Sequence, residues 1–280
     1  MFSLAYNANG LRNVSIEEAI KMTAETGYKY IELSLHKNHI HPLHYTDKQI
    51  NSIKDALKNN GIIAISLATG ADNLLSDIQF EPSLVTADKY GRNKRIELIK
   101  RATDIARELG IPIVSFASGN KDGQLTGQDT YKYLKESVQE CLDYAGNGTT
   151  LAIEPEPGMF IGTSYSAKEL VCDIGSEKFR INLDIGHVEC CEPDLYKAIK
   201  DVIGLTVHIH IEDIKNKIHY HEIPGEGDLD FEKILGLLKQ YNYNRAISVE
   251  LYHHSNVAKE ALNKSYSYLS GIINKINSAG

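Results

Sequence analysis

The feature that most constrains the fold is a regular alternation of short apolar runs with longer amphipathic segments. A run of β-branched and apolar residues, a few turn residues and a stretch with helical periodicity follow one another along the whole sequence. Eight such runs predict β-strands, at residues 2–6, 28–35, 62–68, 112–118, 150–155, 179–185, 205–211 and 246–252. This alternation is typical of a parallel sheet whose strands are connected by helices.

The segments between the strands carry signals for the start and the end of helices. Segment 15–27 begins with Ser15 as N-cap and Glu18 three residues later, and it ends at Gly27. Segments 46–61, 93–110 and 230–243 show the same periodicity. No Pro/Ser-rich linker divides the chain, and eight strand–helix units in roughly 250 residues favour a closed barrel over a doubly wound sheet. We therefore predict an α/β fold with a single (β/α)8 TIM barrel domain over residues 1–280.

Composition and charge narrow the class of protein. Apolar residues make up 42% and charged residues 24% of the chain, which is enough for a large core and argues against disorder. The formal net charge of −7 disfavours a nucleic-acid partner. The sequence contains no signal peptide, no membrane-length apolar run and no C-x-x-C motif. We expect a cytoplasmic protein with a small-molecule substrate and no membrane partner; a homo-oligomer is compatible with the sequence.

Ionisable residues stand at the ends of four consecutive predicted strands, namely Glu154, Asp184, His210 and Glu250. Active sites of TIM barrels lie at this end of the strands. Each acid could instead cap a helix or meet a basic side chain, but three neighbouring carboxylates repel one another unless a cation neutralises them. Three oxygen ligands and one nitrogen suit Mn²⁺ as the first choice, with Mg²⁺, Co²⁺, Fe²⁺ or Zn²⁺ as alternatives. The sequence thus predicts one divalent metal ion.

Four motifs carry a resemblance to a known family. The motifs LAIEPEPG, NLDIGHVE, VHIHIEDIKNKIHYHEIPGEGDLDF and AISVELY resemble the xylose isomerase-like TIM barrel superfamily. Within it the chain is most similar to sugar phosphate isomerases and epimerases, whose relatives include tagatose and psicose 3-epimerases, inosose isomerases and endonuclease IV. The resemblance covers nearly the whole chain. It implies that the four strand-end residues bind the metal ion and that Glu154 and Glu250 also form the acid/base pair.

Residues around this set are expected to contact the substrate. The resemblance implies that His187, three residues after Asp184, contacts the substrate. It also places His221, which precedes the Gly-Glu-Gly turn, at the site, because this histidine matches a metal ligand of endonuclease IV. Position alone adds three more. The predicted substrate contacts are His187, His221, Glu156, Lys215 and Tyr6.

Other histidines and one buried acid receive different interpretations. We expect His208 in the barrel layer below the metal site, because it lies two residues earlier on the same face of its strand, and we expect His219 to be exposed. The His-rich loop at about 36–46, after strand two, fits a lid over the substrate, a solvated surface or a metal site. Glu32 could reach the site, cap a helix or form an ion pair.

The sequence therefore predicts a divalent-metal-dependent isomerase or epimerase of a sugar, sugar phosphate or cyclitol-type hydroxyketone, acting through a metal-stabilised enediolate. The alternative is a metal-dependent dehydratase of a related polyol or keto compound. An endonuclease IV-like enzyme is less favoured, because strands three and four end in SLATG and FASGN without histidine and His219 stands where the endonuclease has aspartate. A non-catalytic binding barrel is disfavoured by the intact set of four ligands.

Overall fold

The computed structural model describes residues 3–70 and 73–278. Eight parallel strands close into a barrel, and two further strands form a separate antiparallel hairpin. The barrel strands are β1 (Ser3–Asn7), β2 (Tyr30–Ser34), β3 (Ile63–Ala68), β4 (Ile113–Ala117), β5 (Thr150–Glu154), β6 (Phe179–Asp184), β7 (Thr206–Ile211) and β10 (Ala246–Val249). The TIM barrel and its eight predicted strands are confirmed, except that residue 2 of the first predicted strand lies outside the described residues. The last strand ends earlier than predicted, so Glu250 follows it directly.

Helices surround the barrel, and their ends follow the predicted capping residues. They are α1 (Ile16–Thr26), α2 (Asp47–Asn60), α3 (Lys89–Leu109), α4 (Gly127–Ala145), α5 (Ser164–Ile174), α6 (Ile185–Cys191), α7 (Leu195–Val202), α8 (Phe231–Gln240) and α9 (Ala258–Ser278). The Ser15 side chain accepts a hydrogen bond from the N–H of Glu18, and Gly27 ends α1 with φ of 112°. Helix α3 begins four residues before the predicted segment, because the Asp88 carboxylate accepts two backbone N–H groups of its first turn.

The inside of the barrel changes from apolar to polar toward the carboxyl ends of its strands. Strands β6 and β7 pair so that Asn182 lies beside His208 and Asp184 beside His210. Glu32 of β2 is likewise paired with Ser66 of β3 and fully buried. Side chains on alternate strand residues point to the same face, so these polar groups share the barrel interior. The fold therefore places a buried polar layer directly beneath the strand ends.

A β-hairpin that the sequence did not predict follows β7. Its strands are β8 (Asp213–Lys215) and β9 (Ile218–Glu222). The two turn residues, Asn216 and Lys217, have φ of 54° and 56°, the left-handed conformation that tight hairpin turns need. The hairpin brings His219 and His221 back to the mouth of the barrel.

The His-rich segment after β2 is partly folded against the barrel. His36 and His39 are buried, and Nε2 of His39 lies 3.2 Å from the carbonyl oxygen of Leu11 and 3.1 Å from that of Val14. This part of the segment is therefore not a solvated surface. No helix within residues 3–70 and 73–278 is long and apolar enough to cross a membrane.

Candidate active site

The structure brings the four predicted metal ligands together at the carboxyl end of the barrel. One ligand atom from each of Glu154, Asp184, His210 and Glu250 lies within 4.8 Å of the others. Nδ1 of His210 is 2.9 Å from Oε1 of Glu154, 3.3 Å from Oε2 of Glu250 and 3.8 Å from Oδ2 of Asp184. The four side chains come from four neighbouring strands of the closed barrel, so the backbone fixes their separation.

The electrostatics of this cluster differ from one carboxylate to the next. Burial raises the pKa of Glu154 to about 7, although His210 acts in the opposite direction. For Glu250 burial also favours the neutral form, but the nearby His210 and His221 outweigh it and lower the pKa. Amide donors assist, since Nδ2 of Asn7 and of Asn9 lie 3.0 Å and 2.7 Å from Oε1 of Glu250. One carboxylate is thus held ionised while the other titrates near neutrality.

The donor set fits a divalent cation. Oδ1 of Asp184 accepts the backbone N–H of His187 at 2.8 Å, and the buried Glu212 carboxyl group, whose pKa is raised well above its usual range by burial, can donate a hydrogen bond to Asp184. The neighbouring carboxylates of Glu154, Asp184 and Glu250 still repel one another unless a cation faces them. Three carboxylates and one imidazole would supply oxygen and nitrogen ligands of the kind that Mn²⁺, Mg²⁺, Co²⁺, Fe²⁺ or Zn²⁺ accept.

A buried acid lies behind His210. Oε2 of Glu32 is 2.8 Å from Nε2 of His210 and 2.9 Å from Nε2 of His208. The structure therefore favours two of the three interpretations of Glu32, contact with the site and an ion pair, because the surrounding carboxylates raise the pKa of His210 well above its usual range. His208 lies in the layer below, as expected. Metal-binding histidines in proteins typically donate their second N–H to such a carboxylate.

Three histidines form a second edge of the site. Nδ1 of His187 lies 3.0 Å from the carbonyl oxygen of Pro155, and Nδ1 of His221 lies 3.0 Å from that of Glu250. Each ring therefore donates from Nδ1 and directs Nε2 into the cavity. Nε2 of His219 is 3.0 Å from Nε2 of His187 and 3.3 Å from Nε2 of His221.

The expectation that His219 is exposed is corrected by this geometry. Its side chain is 27% exposed, because side chains two apart on β9 share a face and His219 therefore follows His221 into the cavity. These imidazoles can accept hydrogen bonds from substrate hydroxyl groups.

A cavity of about 650 Å³ opens at this rim of the barrel. Three predicted substrate contacts line it, namely Glu156, His187 and His221. Its walls also contain residues that the sequence did not point to, among them Asn9, Arg12, Tyr252 and His253. These four follow β1 and β10, and only the closure of the barrel places them side by side.

Two predicted substrate contacts lie elsewhere. Tyr6 is fully buried, and its ring packs edge to face on Tyr28 with centroids 5.6 Å apart. Successive strand residues face opposite ways, so Asn7 reaches Glu250 and Tyr6 points away from the cavity. Lys215 is exposed on the hairpin strand β8. Neither residue is among the described residues that line the cavity, and these two expectations are corrected.

Comparison with known proteins agrees with this arrangement. The family model described as xylose isomerase-like TIM barrel matches residues 20–269. The chain belongs to this family. Among its relatives is the L-ribulose-5-phosphate 3-epimerase of Escherichia coli strain K12, which is 21% identical over 238 residues and covers 84% of this chain and 81% of that protein.

Two solved structures share this xylose isomerase-like fold. The 3-keto-D-glucoside 4-epimerase from Escherichia coli superposes with a TM-score of 0.81 at 19% identity, covering 97% of this chain and all of that one. The IOLI protein with a bound zinc atom gives the same TM-score and identity, covering 98% and 99% of the two chains. At these identities the structures support the fold, and the chemistry must be argued from the site.

Proposed function

We propose that this chain catalyses the metal-dependent epimerisation or isomerisation of a small sugar-type hydroxyketone. The observation that carries the proposal is the pair Glu154 and Glu250. The two carboxylates approach the same point from β5 and β10, and their pKa values are shifted in opposite directions. Carboxylates whose surroundings separate their pKa values in this way are suited to acid and base roles.

A divalent cation held by Glu154, Asp184, His210 and Glu250 would act as a Lewis acid on the substrate carbonyl group. The residues then have distinct tasks. Glu250 is held in its ionised form and can remove a proton from the carbon next to the carbonyl group. Glu154 can return a proton to the opposite face of that carbon or to its neighbour. The first outcome is epimerisation and the second is isomerisation.

The remaining walls of the cavity suit a polyhydroxylated substrate. The Nε2 atoms of His187, His219 and His221 converge on one side. Glu156 lies on the same side, with Oε2 3.7 Å from Nδ1 of His187. Burial raises the pKa of Glu156 well above its ordinary value, so its carboxyl group can donate as well as accept a hydrogen bond. The names of the relatives agree with a sugar or sugar phosphate as substrate.

The test is incorporation of solvent deuterium into a panel of ketoses, inososes and their phosphates in the presence of Mn²⁺. We expect one of these compounds to exchange the proton next to its carbonyl group. Glu154→Gln and Glu250→Gln should each lower the exchange rate by about 10²- to 10⁴-fold. Glu169→Gln, an exposed position on α5, is the matched control and should change nothing.

Other outcomes would redirect the proposal. Exchange that survives in both active-site variants would remove these carboxylates from the mechanism. Formation of a dehydrated product from the same panel would assign the chain to the dehydratase alternative.

A further inference from the structure

We propose that the substrate carries a terminal phosphate group and that Arg12, at the outer rim of the cavity, binds it. This inference rests on the proposed function and concerns the end of the substrate that lies away from the carbonyl group. The inner end of the cavity holds the carboxylates that would act on the carbonyl group. The outer end has the opposite charge, and its geometry is suited to a phosphate ester.

The outer end is a separate lobe of about 310 Å³ that adjoins the main cavity. The two share four lining residues, Arg12, Lys37, Tyr252 and His253. None of the described residues that line the lobe is acidic, whereas Glu154, Glu156 and Glu250 line the inner cavity. In a chain with a net charge of −7, this local excess of cationic and neutral donors marks a place for an anion.

Arg12 is held in place without an ion pair in the described part of the chain. Its Nη2 donates to the carbonyl oxygen of Tyr252 at 2.6 Å, and its backbone N–H donates to Oγ of Ser255 at 3.3 Å. Nδ2 of Asn38 donates to the Arg12 carbonyl oxygen at 3.1 Å. A guanidinium group has five N–H donors, so most of them stay available. An oriented guanidinium can bind two phosphate oxygens at once.

The separation between the two ends suits a short sugar phosphate. Tyr252, which positions Arg12, stands two residues after Glu250. Two residues of extended chain span at most about 7 Å. A ketose whose carbonyl end lies beside Glu250 therefore needs only a few carbon–carbon bonds to bring a terminal phosphate to the rim.

His253 supports the same assignment. Its ring stacks on Tyr220 with centroids 4.9 Å apart and planes 7° from parallel, so its position at the lobe is fixed. Asn13 and Asn256, joined by a hydrogen bond of 2.8 Å, add amide groups to the wall. The lobe thus combines cationic and neutral donors in the manner of phosphate sites.

The experiment compares each ketose of the deuterium-exchange panel with its terminal phosphate ester, beginning with L-ribulose and L-ribulose 5-phosphate. We expect the wild-type chain to have a higher kcat/KM for the ester. Arg12→Gln should lower kcat/KM for the ester by about 10- to 100-fold, at least tenfold more than it lowers the value for the free ketose. Arg101→Gln, on the surface of α3 and paired with Glu97, is the matched control and should change neither value.

Several outcomes overturn the inference while leaving the proposed function intact. One is wild-type exchange of the free ketose with no preference for the ester. Another is an equal loss on both substrates in Arg12→Gln, which would make the role of this arginine structural. His253→Asn provides a second variant and should show the same selective loss, so the test does not depend on the folding of one variant.

A measurement without a substrate covers the case in which no compound of the panel reacts. Inorganic phosphate is titrated calorimetrically into wild type, Arg12→Gln and Arg101→Gln. We expect binding to wild type and to Arg101→Gln, with affinity at least tenfold weaker in Arg12→Gln. Equal binding to all three, or to none, overturns the phosphate site, whereas failure of the whole panel in the exchange assay overturns the proposed function.

Discussion

Nε2 of His210 lies 2.8 Å from Oε2 of Glu32, and Nδ1 on the other side of the ring faces the three strand-end carboxylates. The same Glu32 oxygen is 2.9 Å from Nε2 of His208. The carboxylates around the ring raise the pKa of His210 well above its usual range, so the metal-free protein holds this histidine as an imidazolium. When a cation displaces the proton on Nδ1, the ring keeps its Nε2–H on Glu32, and the buried acid therefore fixes the tautomer in which His210 can bind a cation together with its neighbours.

We expect Glu32→Gln to lower the affinity for Mn²⁺ by about 10- to 100-fold, because the neutral amide no longer fixes the ring of His210 or raises its basicity. Calorimetric titration of the metal-free protein measures this affinity. Deuterium exchange at saturating Mn²⁺ should return toward the wild-type rate, since Glu32 does not touch the cavity. Unchanged affinity in the variant would remove Glu32 from the support of the metal site.

Binding of the metal should release protons near neutral pH. Glu154 has a pKa of about 7 in the metal-free protein, and a metal ligand must be deprotonated. Glu154 binds a proton below this pKa in the metal-free form and none in the metal-bound form, so its contribution to affinity rises with pH through the pKa. The pKa of His210 is raised well above its usual range by the surrounding carboxylates, so the metal displaces a second proton from this ring and affinity continues to rise at higher pH. The contribution of Glu154 between pH 6 and pH 8 is about tenfold.

Titrations at pH 6.5 in buffers with different ionisation enthalpies count the released protons. Glu154→Gln should release fewer than wild type, while the surface control Glu169→Gln should match wild type. An affinity for Mn²⁺ that does not change over this pH range would contradict the assignment of Glu154 as a titrating ligand.

The barrel could be predicted because its signals are local. A strand buried on both faces needs a short apolar run, and each of the eight runs sits in a strand of the structure. The positions of Glu154, Asp184 and His210 at strand ends then follow from the alternation of the chain and the common direction of parallel strands. Closure of the barrel brings these residues together with Glu250.

The parts that the sequence did not predict depend on contacts between distant residues. Glu32 and His210 are 178 positions apart, so only the closed barrel shows that they meet. The hairpin carries polar residues and a turn in the left-handed conformation at Asn216 and Lys217, without a strong strand signal. As a result, no feature of the sequence placed His219 inside the cavity.

Substitution of Gly186, two residues after Asp184, tests how closely the buried polar groups around the candidate metal site are packed. A Cβ atom on Gly186 would overlap Oε1 of Glu212 and lie 2.7 Å from its Cδ. Glu212 is fully buried beside Asp184 and cannot swing into solvent. We expect Gly186→Ala to lower the free energy of unfolding by about 1–3 kcal/mol and to weaken Mn²⁺ binding, because Asp184 must move with its neighbour.

Urea unfolding and calorimetric titration measure the two effects. Gly236→Ala on α8 is the matched control, because its Cβ would meet no atom within 4 Å. There the change should stabilise the helix by up to about 1 kcal/mol. Equal stability of the two variants would mean that Glu212 has room to move.

The turn after β9 is held by a single carboxylate, and its loss should separate substrate binding from metal binding. Oδ2 of Asp213 accepts the N–H groups of Gly225 and Gly227 at 2.8 Å and 2.9 Å, and Oδ1 accepts that of Leu229 at 3.0 Å. Asp213→Asn keeps one oxygen and turns an NH₂ group toward the remaining donors. Hydrogen bonds to a charged group contribute about 1.5–3 kcal/mol, so we expect a loss of stability of this size.

The loosened turn should disturb the adjoining strand, which carries His221, and so raise KM. The affinity for Mn²⁺ should stay near the wild-type value, because the four candidate ligands lie on or directly after the barrel strands. Hydrogen exchange of the amides at 225–229, together with KM and Mn²⁺ titration, measures these effects. Asp228→Asn is the control on the same turn: its carboxylate accepts one N–H, from Asn216 at 2.7 Å, in an exposed position. An equal loss of stability in both variants would show that the turn does not depend on the buried carboxylate. Loss of Mn²⁺ binding in Asp213→Asn would show that the hairpin and the candidate metal site are not independent.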